Sequence, residues 1–303
     1  MKSVLILMST YNGKERIIKQ VESIFSQEDV DISLYIRDDG SSAETKRVLE
    51  NLENRYKDKI TVLYGENIGW KRSFLELVYT SKCDFDYYGF SDQDDVWLSR
   101  KLANCISMVE NEANDEPKLI HCNSLSVTPS LKKRYEQEFR KPKPSSFKSA
   151  VATEYFQGCG MLWNREAMYL IQSYRPQEKN LAHDYWVGLI CYLFGEIYFC
   201  PEPQFYHIRY ESNSSEDGNI NKGRIKRLKT LIFGRDAYMN PCDDLMKGYV
   251  SLLEKENKNF LLNVINYKTN YKCKYKIVFD KEFRRESVLS TILFKIAIIC
   301  NKF

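Results

Sequence analysis

The 303-residue sequence predicts an α/β protein on a doubly wound, mostly parallel sheet with helices on both faces. Three observations carry this. Strand and helix signals alternate through the first hundred residues. The strand segments are short apolar runs, as in strands buried on both faces. Each run ends in a polar segment, which is where such sheets gather ligands.

In order, Val4–Met8 reads as a buried strand, five apolar residues against the longer core of a signal peptide. Lys14–Gln27 carries Ile17, Ile18, Val21, Ile24 and Phe25, the stripe of an amphipathic helix. Ile32–Ile36 is the next strand, Glu44–Tyr56 a helix, Ile60–Tyr64 a strand, Gly65–Gly69 a loop and Trp70–Thr80 a helix. Tyr87–Phe90 is a short strand running into Ser91-Asp92-Gln93-Asp94-Asp95. The strand ends are thus Ser9–Gly13, Asp38–Ser41, Gly65–Gly69 and Asp92–Asp95. Leu98–Met108 (helix) and Leu119–Val127 (strand) follow. Thr128–Ser149, rich in Lys, Pro and Ser, reads as a long mobile loop. Tyr155–Trp163 contains Gly158-Cys159-Gly160, where backbone passes close to a neighbour; Asp184–Phe194 reads as helix, and Ile197–Cys200 and Gln204–Ile208 as strands.

Composition is that of a globular chain, 43% hydrophobic and 28% charged, which excludes wholesale disorder and a multi-span membrane protein. The net charge of +4 is too small to indicate nucleic acid as a partner. Its distribution is uneven: Lys222–Phe303 holds 18 Lys/Arg against 8 Asp/Glu, whereas the residues before it are net acidic. Nine scattered cysteines without a Cys-x-x-Cys pair fit a reducing cytosol, not a disulfide framework or zinc site. The sequence therefore divides into a net acidic α/β region, 1–220, and a basic helical region, 221–303. Lys222–Phe233 reads as a basic amphipathic helix, and Val288–Cys300 is apolar but too short to span a bilayer. Together they suit an anionic membrane surface, packing on the α/β region, or a homodimer interface.

Three carboxylates in Asp92-Gln93-Asp94-Asp95 repel one another unless a cation sits among them, and oxygen ligands suit Mg²⁺ or Mn²⁺ bridging a diphosphate. Asp38-Asp39-Gly40-Ser41 is either an Asx turn with a helix cap or a site for base and ribose. Ser9–Gly13 and Asn67-Ile68-Gly69 lie at helix starts, which favour anions. Asp184, in His183-Asp184-Tyr185-Trp186, is either a helix-capping residue or a general base. His207 and Arg209 are candidates for metal and diphosphate, with a structural histidine the alternative for His207. No Gly-x-Gly-x-x-Gly or Gly-Lys-Ser/Thr occurs, so dinucleotide and P-loop sites lack their fingerprints.

Taken in order over residues 3–215, these segments resemble the family-2 glycosyltransferases with a GT-A fold. Asp-Gln-Asp-Asp-Val-Trp and His-Asp-x-Trp are most similar to the bacterial rhamnosyltransferase branch. The resemblance implies an inverting transferase moving L-rhamnose from dTDP-β-L-rhamnose to a glycan, expected to be lipid-linked, at the inner face of the cell membrane. It implies that Thr10, Asn12, Asp38 and Asp39 hold the nucleotide, and that Asn67, Gly69, Lys71 and Ser73 line it and the diphosphate, with Arg209 on the diphosphate. Asp92 and Asp94 form the Asp-x-Asp pair, Asp94 the foremost metal ligand, with His207 a further one. Asp184 is the implied base, and Trp97, His183 and Trp186 the implied acceptor residues. Relatives often read Tyr-Arg-x-His where this chain has Tyr206-His207-Ile208-Arg209, with the basic residues exchanged. Competing readings are a UDP-hexose-dependent enzyme of the same fold, a sugar-phosphate nucleotidyltransferase, whose Gly-rich loop is missing after the first strand, and a non-catalytic glycan-binding protein.

Overall fold

A computed structural model describes residues 1–110, 115–133, 144–210 and 240–303. The chain divides into two compact units. The first comprises Met1–Pro142, Phe156–Ser173 and Ala182–Tyr210; the second comprises Lys143–Tyr155, Tyr174–Leu181 and Glu211–Phe303.

The first unit is an α/β layered sheet. Strands β1 (Lys2–Thr10), β2 (Val30–Asp39), β3 (Ile60–Gly65) and β4 (Tyr87–Ser91) run parallel in the order β3-β2-β1-β4. Val4 to Met8 are all buried because β1 lies inside the sheet and is covered on both faces. Helices α1 (Arg16–Phe25), α2 (Ala43–Arg55) and α3 (Trp70–Thr80) make the crossovers, and α1 buries Ile17, Val21 and Ile24 as its stripe requires. Two polar residues of α1 face inward: Gln20 Nε2 donates to Ser91 Oγ at 2.7 Å, and Ser23 Oγ accepts from Trp97 N at 3.0 Å. Helix α1 thereby holds the residues on either side of the acidic turn.

The rest of the sheet is mixed. Beyond β4 come β7 (Met161–Asn164), β6 (Lys118–Val127), β8 (Glu196–Ile208) and β5 (Val96–Trp97). Strand β7 is antiparallel to β4 and β6, β6 and β8 are parallel, and β5 is antiparallel to β8. The two expected strands over 197–208 are one strand; Pro201 and Pro203 fall where its register against Cys122–Ser124 shifts, so the prolines bulge the ladder instead of ending it. The strand β5 and helix α6 (Arg165–Gln172) lie outside the sequence expectations. Helix α4 (Lys101–Ser107) follows β5, and α7 (His183–Phe194) packs with α6.

The expected loop 128–149 contains structure at both described ends. Val127 bridges Lys133, and α5 (Phe147–Val151) begins at Ser146, whose hydroxyl accepts from Ser149 N. Residues 134–143 of that segment, and the basic stretch Lys222–Phe233, lie outside the described residues.

The second unit is helical over its described C-terminal part: α8 (Cys242–Tyr249), α9 (Lys255–Asn266), α10 (Tyr271–Phe279) and α11 (Val288–Ile299). Its core is aromatic. Phe283 meets Phe260, Phe294 and Phe303 edge-on, with ring centroids 4.9 to 5.7 Å apart. The Asp244 carboxylate accepts from Tyr174 Oη, Gln177 N and Glu178 N, tying 174–181 to α8. Among the described residues, no helix is long and apolar enough to cross a membrane.

Candidate active site

The acidic turn links β4 to β5. Asp95 is buried, and its Oδ1 pairs with His207 Nδ1 at 2.8 Å across the β5–β8 pairing. Its Oδ2 is buried without a partner. Cys159, from a single 3₁₀ turn at Gly158–Gly160, joins them: ligand atoms of Asp92, Asp95, Cys159 and His207 lie within 4.8 Å of one another. Asp94 stands outside this group, 4.0 Å from Arg16 Nη1. The expected ligands Asp92 and His207 therefore come together, with Asp95 beside them and Asp94 outside the group.

The electrostatics of the turn call for a cation. Burial and then the Asp95 charge push Asp92 up to about 6. Burial, then Asp95 and Asp92, push Asp94 up to about 7. Burial acts against protonation of His207, but the bond to Asp95 and the charges of Asp95 and Asp92 outweigh it and raise its pKa. Carboxylates with an imidazole fit Mg²⁺ or Mn²⁺, and the orphaned Asp95 oxygen is a ready ligand. Cys159 contributes less, because burial and the two carboxylates hold its thiol protonated. Beneath the turn, Lys101 is buried; its Nζ donates to Cys159 O at 2.7 Å and lies 3.2 Å from the Trp97 ring centroid.

The nucleotide side is formed by the ends of β1, β2 and β3. Thr10 Oγ1 donates to Gln93 Oε1 at 2.6 Å, so Gln93 clips the acidic turn to β1. Asn12 N donates to Ser41 Oγ, and Asn12 Oδ1 accepts from Ser42 N, joining the β1 and β2 turns. Asp39 is fully engaged: it pairs with Arg37 Nη1 at 2.5 Å and accepts from Ile68 N and Gly69 N. Ser73 Oγ bonds Ser9 Oγ at 2.6 Å and accepts from Arg37 Nη1. Asp39 and Ser73, expected to face the nucleotide, hold the Asn67–Gly69 loop and the start of α3. Asp38 is the reverse case, with Oδ2 accepting from Ser41 N while buried Oδ1 has no partner. Gly69 has φ +82°, and the space where its Cβ would stand is open.

Helix α7 brings the third part. His183 is stacked on Phe74 at 4.0 Å and meets Phe90 and Trp70 edge-on. Burial, then Lys71, lowers its pKa to about 3, so the ring is neutral. Asp184 is half-buried in the first turn of α7, its Oδ1 accepting from Tyr185 N at 2.8 Å. A side chain on Gly158 would come within 2.7 Å of His183 Nε2 and 3.6 Å of Asp184 Cβ, which places Asp184 beside the turn that carries Cys159. The close approach read from Gly158-Cys159-Gly160 is thus to α7 and to Cys122 O. Trp97 and Trp186, expected on the acceptor side, are enclosed; Trp186 Nε1 donates to Tyr79 Oη at 3.0 Å. His183 is also buried, and Arg209 is half-buried, its N donating to Val127 O.

Sequence reasoning did not single out Asp95 and Cys159 as ligands, nor Arg16, Gln93 and Lys101. The third acid of the turn and the cysteine between two glycines were visible signals; Lys101 had none.

A sheet of this order, with a carboxylate turn after its fourth strand, defines a GT-A glycosyltransferase. The family model "Glycosyl transferase family 2" matches residues 5–170, and the chain belongs to that family. A Shigella flexneri relative, "dTDP-rhamnosyl transferase RfbG", is 30% identical over 275 residues, 81% of this chain and 90% of its own. The Escherichia coli protein "UDP-Glc:alpha-D-GlcNAc-diphosphoundecaprenol beta-1,3-glucosyltransferase WfaP" is 29% identical over 112 residues, 37% of this chain and 43% of its own. Among solved structures, S. aureus TarS 1-349 in complex with UDP-GlcNAc superposes with a TM-score of 0.57 at 14% identity, covering 98% of this chain and 79% of that one, a likeness of fold.

Proposed function

We propose that the chain is an inverting rhamnosyltransferase that moves L-rhamnose from dTDP-β-L-rhamnose to a lipid-linked glycan acceptor in bacterial surface-polysaccharide synthesis, at an anionic membrane face. The similarity to the S. flexneri rhamnosyl transferase, which extends over most of both chains, carries this reading. A UDP-glucose donor is the second reading, favoured by the E. coli glucosyltransferase over a shorter stretch.

In this reading Asp184 takes the proton of the acceptor hydroxyl as that oxygen attacks the anomeric carbon. The bond to the diphosphate breaks on the opposite face, the configuration inverts, and the electron pair leaves with the nucleotide diphosphate. Asp38 offers its unpartnered oxygen to a donor N–H of the base. Thr10, Asn12, Asn67 and Gly69 shape the nucleotide cleft, and Lys71 and Arg209 supply positive charge toward the diphosphate. Asp92, Asp95 and His207, with Asp94 alongside, would hold Mg²⁺ or Mn²⁺. The ion would offset the charge that develops on the leaving diphosphate. The test is turnover with dTDP-β-L-rhamnose against UDP-glucose, UDP-galactose and UDP-N-acetylglucosamine, with Mn²⁺ and with EDTA. Efficient use of a UDP-hexose and none of dTDP-rhamnose would overturn the donor assignment.

A further inference from the structure

The two last helices of the second unit each carry an apolar stripe that faces solvent. On α11, Val288, Leu289, Ile292, Ile296 and Ile299 recur at three- and four-residue spacing and are 45% to 78% exposed, while Phe294, Ala297 and Ile298 pack inward. On α10, Tyr271, Tyr275 and Phe279 recur every fourth residue and are exposed, the last two with ring centroids 4.5 Å apart. Isolated exposed aliphatic residues are ordinary in globular chains; two continuous stripes on paired helices are not.

The charges are arranged around these stripes. Lys295 is the single charged residue within α11, and it turns inward: its Nζ donates to Ile277 O at 2.5 Å and Asp280 O at 3.2 Å, closing the C-terminal end of α10. The outer face of α11 is therefore free of charge. Between Tyr267 and Phe303 there are nine Lys/Arg and three Asp/Glu. Two of those acids, Asp280 and Glu282, pair with Lys148 at 3.4 and 3.1 Å. Exposed Lys272 and Lys276 each follow an aromatic of the α10 stripe by one position. Aromatic rings beside lysines next to an aliphatic stripe match an interface with acyl chains on one side and anionic headgroups on the other.

We infer that the paired outer faces of α10 and α11 form a docking surface for an anionic lipid bilayer, with Leu289, Ile292 and Ile296 entering the acyl boundary and Lys272 and Lys276 meeting headgroup phosphates. The inference rests on the membrane reading above and locates it in the chain. A second copy of the chain would cover the aliphatic stripe but would leave the excess of positive charge facing itself.

The experiment is co-sedimentation of the full chain with vesicles of phosphatidylglycerol and phosphatidylethanolamine, against pure phosphatidylcholine. Two variants are compared with wild type: Leu289→Gln with Ile292→Gln and Ile296→Gln, and Lys272→Gln with Lys276→Gln. All five positions face solvent or the stripe rim, and an unchanged unfolding midpoint checks the fold. The aliphatic variant should partition at least about tenfold more weakly at low and high salt. The lysine variant should lose about tenfold or more at low salt, at about 1 kcal/mol per cation, and little at high salt. Wild type that ignores anionic vesicles overturns both the membrane reading and this surface. Wild type that binds while the aliphatic variant binds equally overturns the surface and leaves the reading standing. A wild-type dimer in sedimentation velocity that the aliphatic variant abolishes, without vesicle binding, assigns the stripe to a second copy and overturns the proposal.

Discussion

Two aspartate clusters lie at the ends of the strands on either side of β1, Asp38 and Asp39 at the end of β2 and three carboxylates after β4, and they are chemically different. At the end of β2, Asp39 is paired with Arg37 and accepts from two backbone N–H groups, so its negative charge is compensated inside the protein. After β4, three carboxylates share His207, the buried Lys101 and a distant Arg16, and two of them are still pushed up to about 6 and 7. Neighbouring acids at strand ends are thus not equivalent sites. Asp39 organises a loop, while the turn after β4 is left short of positive charge.

The largest expected effect separates both turns from the chemistry. Asp184→Asn should lower turnover by about 10²–10⁴ while donor affinity stays within a few-fold. Single-turnover kinetics beside donor titration checks this, and a variant that keeps most of its turnover removes Asp184 as base. Next, Asp39→Ala leaves the Arg37 guanidinium buried without its carboxylate. It should cost about 3–5 kcal/mol in urea unfolding, equally with Mn²⁺ and with EDTA. A loss that metal repairs would break the comparison.

The acidic turn should show the opposite signature. Asp92 and Asp94 hold their protons more tightly folded than at the unfolded value of 3.8, so the folded state binds more protons between those limits. Stability from these groups falls as pH rises through about 4 to about 7, and the raised pKa of His207 acts in the same direction. Asp94→Asn should flatten that fall in EDTA by about 1–3 kcal/mol, read from unfolding midpoints between about pH 5 and about pH 8. The same variant should weaken nucleotide-diphosphate binding with metal present and change it little in EDTA. The smallest effect is Thr10→Val, which removes the bond to Gln93 and should cost about 1 kcal/mol of stability by the same unfolding measurement.

The parallel half of the sheet was legible because its signals are local. The apolar run at Val4–Met8, the stripe of α1 and the bounds of α3 are each set by residues within one turn or strand. The mixed half depends on long-range pairing: a two-residue strand such as β5 exists only because β8 lies beside it. Pro201 and Pro203 looked like a break, and only the ladder with β6 shows them as a bulge. In the site, Asp92, His207 and Asp184 were readable as residue types in suggestive places. Which of Asp38 and Asp39 keeps a spare oxygen was not, because that depends on Arg37 and on a loop about thirty residues further on. That Trp97 and Trp186 are enclosed was not legible either, because an aromatic residue beside polar ones serves equally well as a wall or as a floor.

The pairing of Asp95 with His207 spans 112 residues of chain. On a growing polypeptide the mutual registers of the parallel strands β1 to β4 lie within the first 91 residues and Gln93 can already meet Thr10, but Asp95 has no His207 until the end of β8 has emerged. Closing so long a loop is slow compared with local helix formation. The Asp95–His207 pairing is therefore expected to close after the local elements have formed. A nascent chain stopped before Tyr206 would lack His207, leaving Asp95 without its imidazole and the acidic turn with a still larger excess of negative charge.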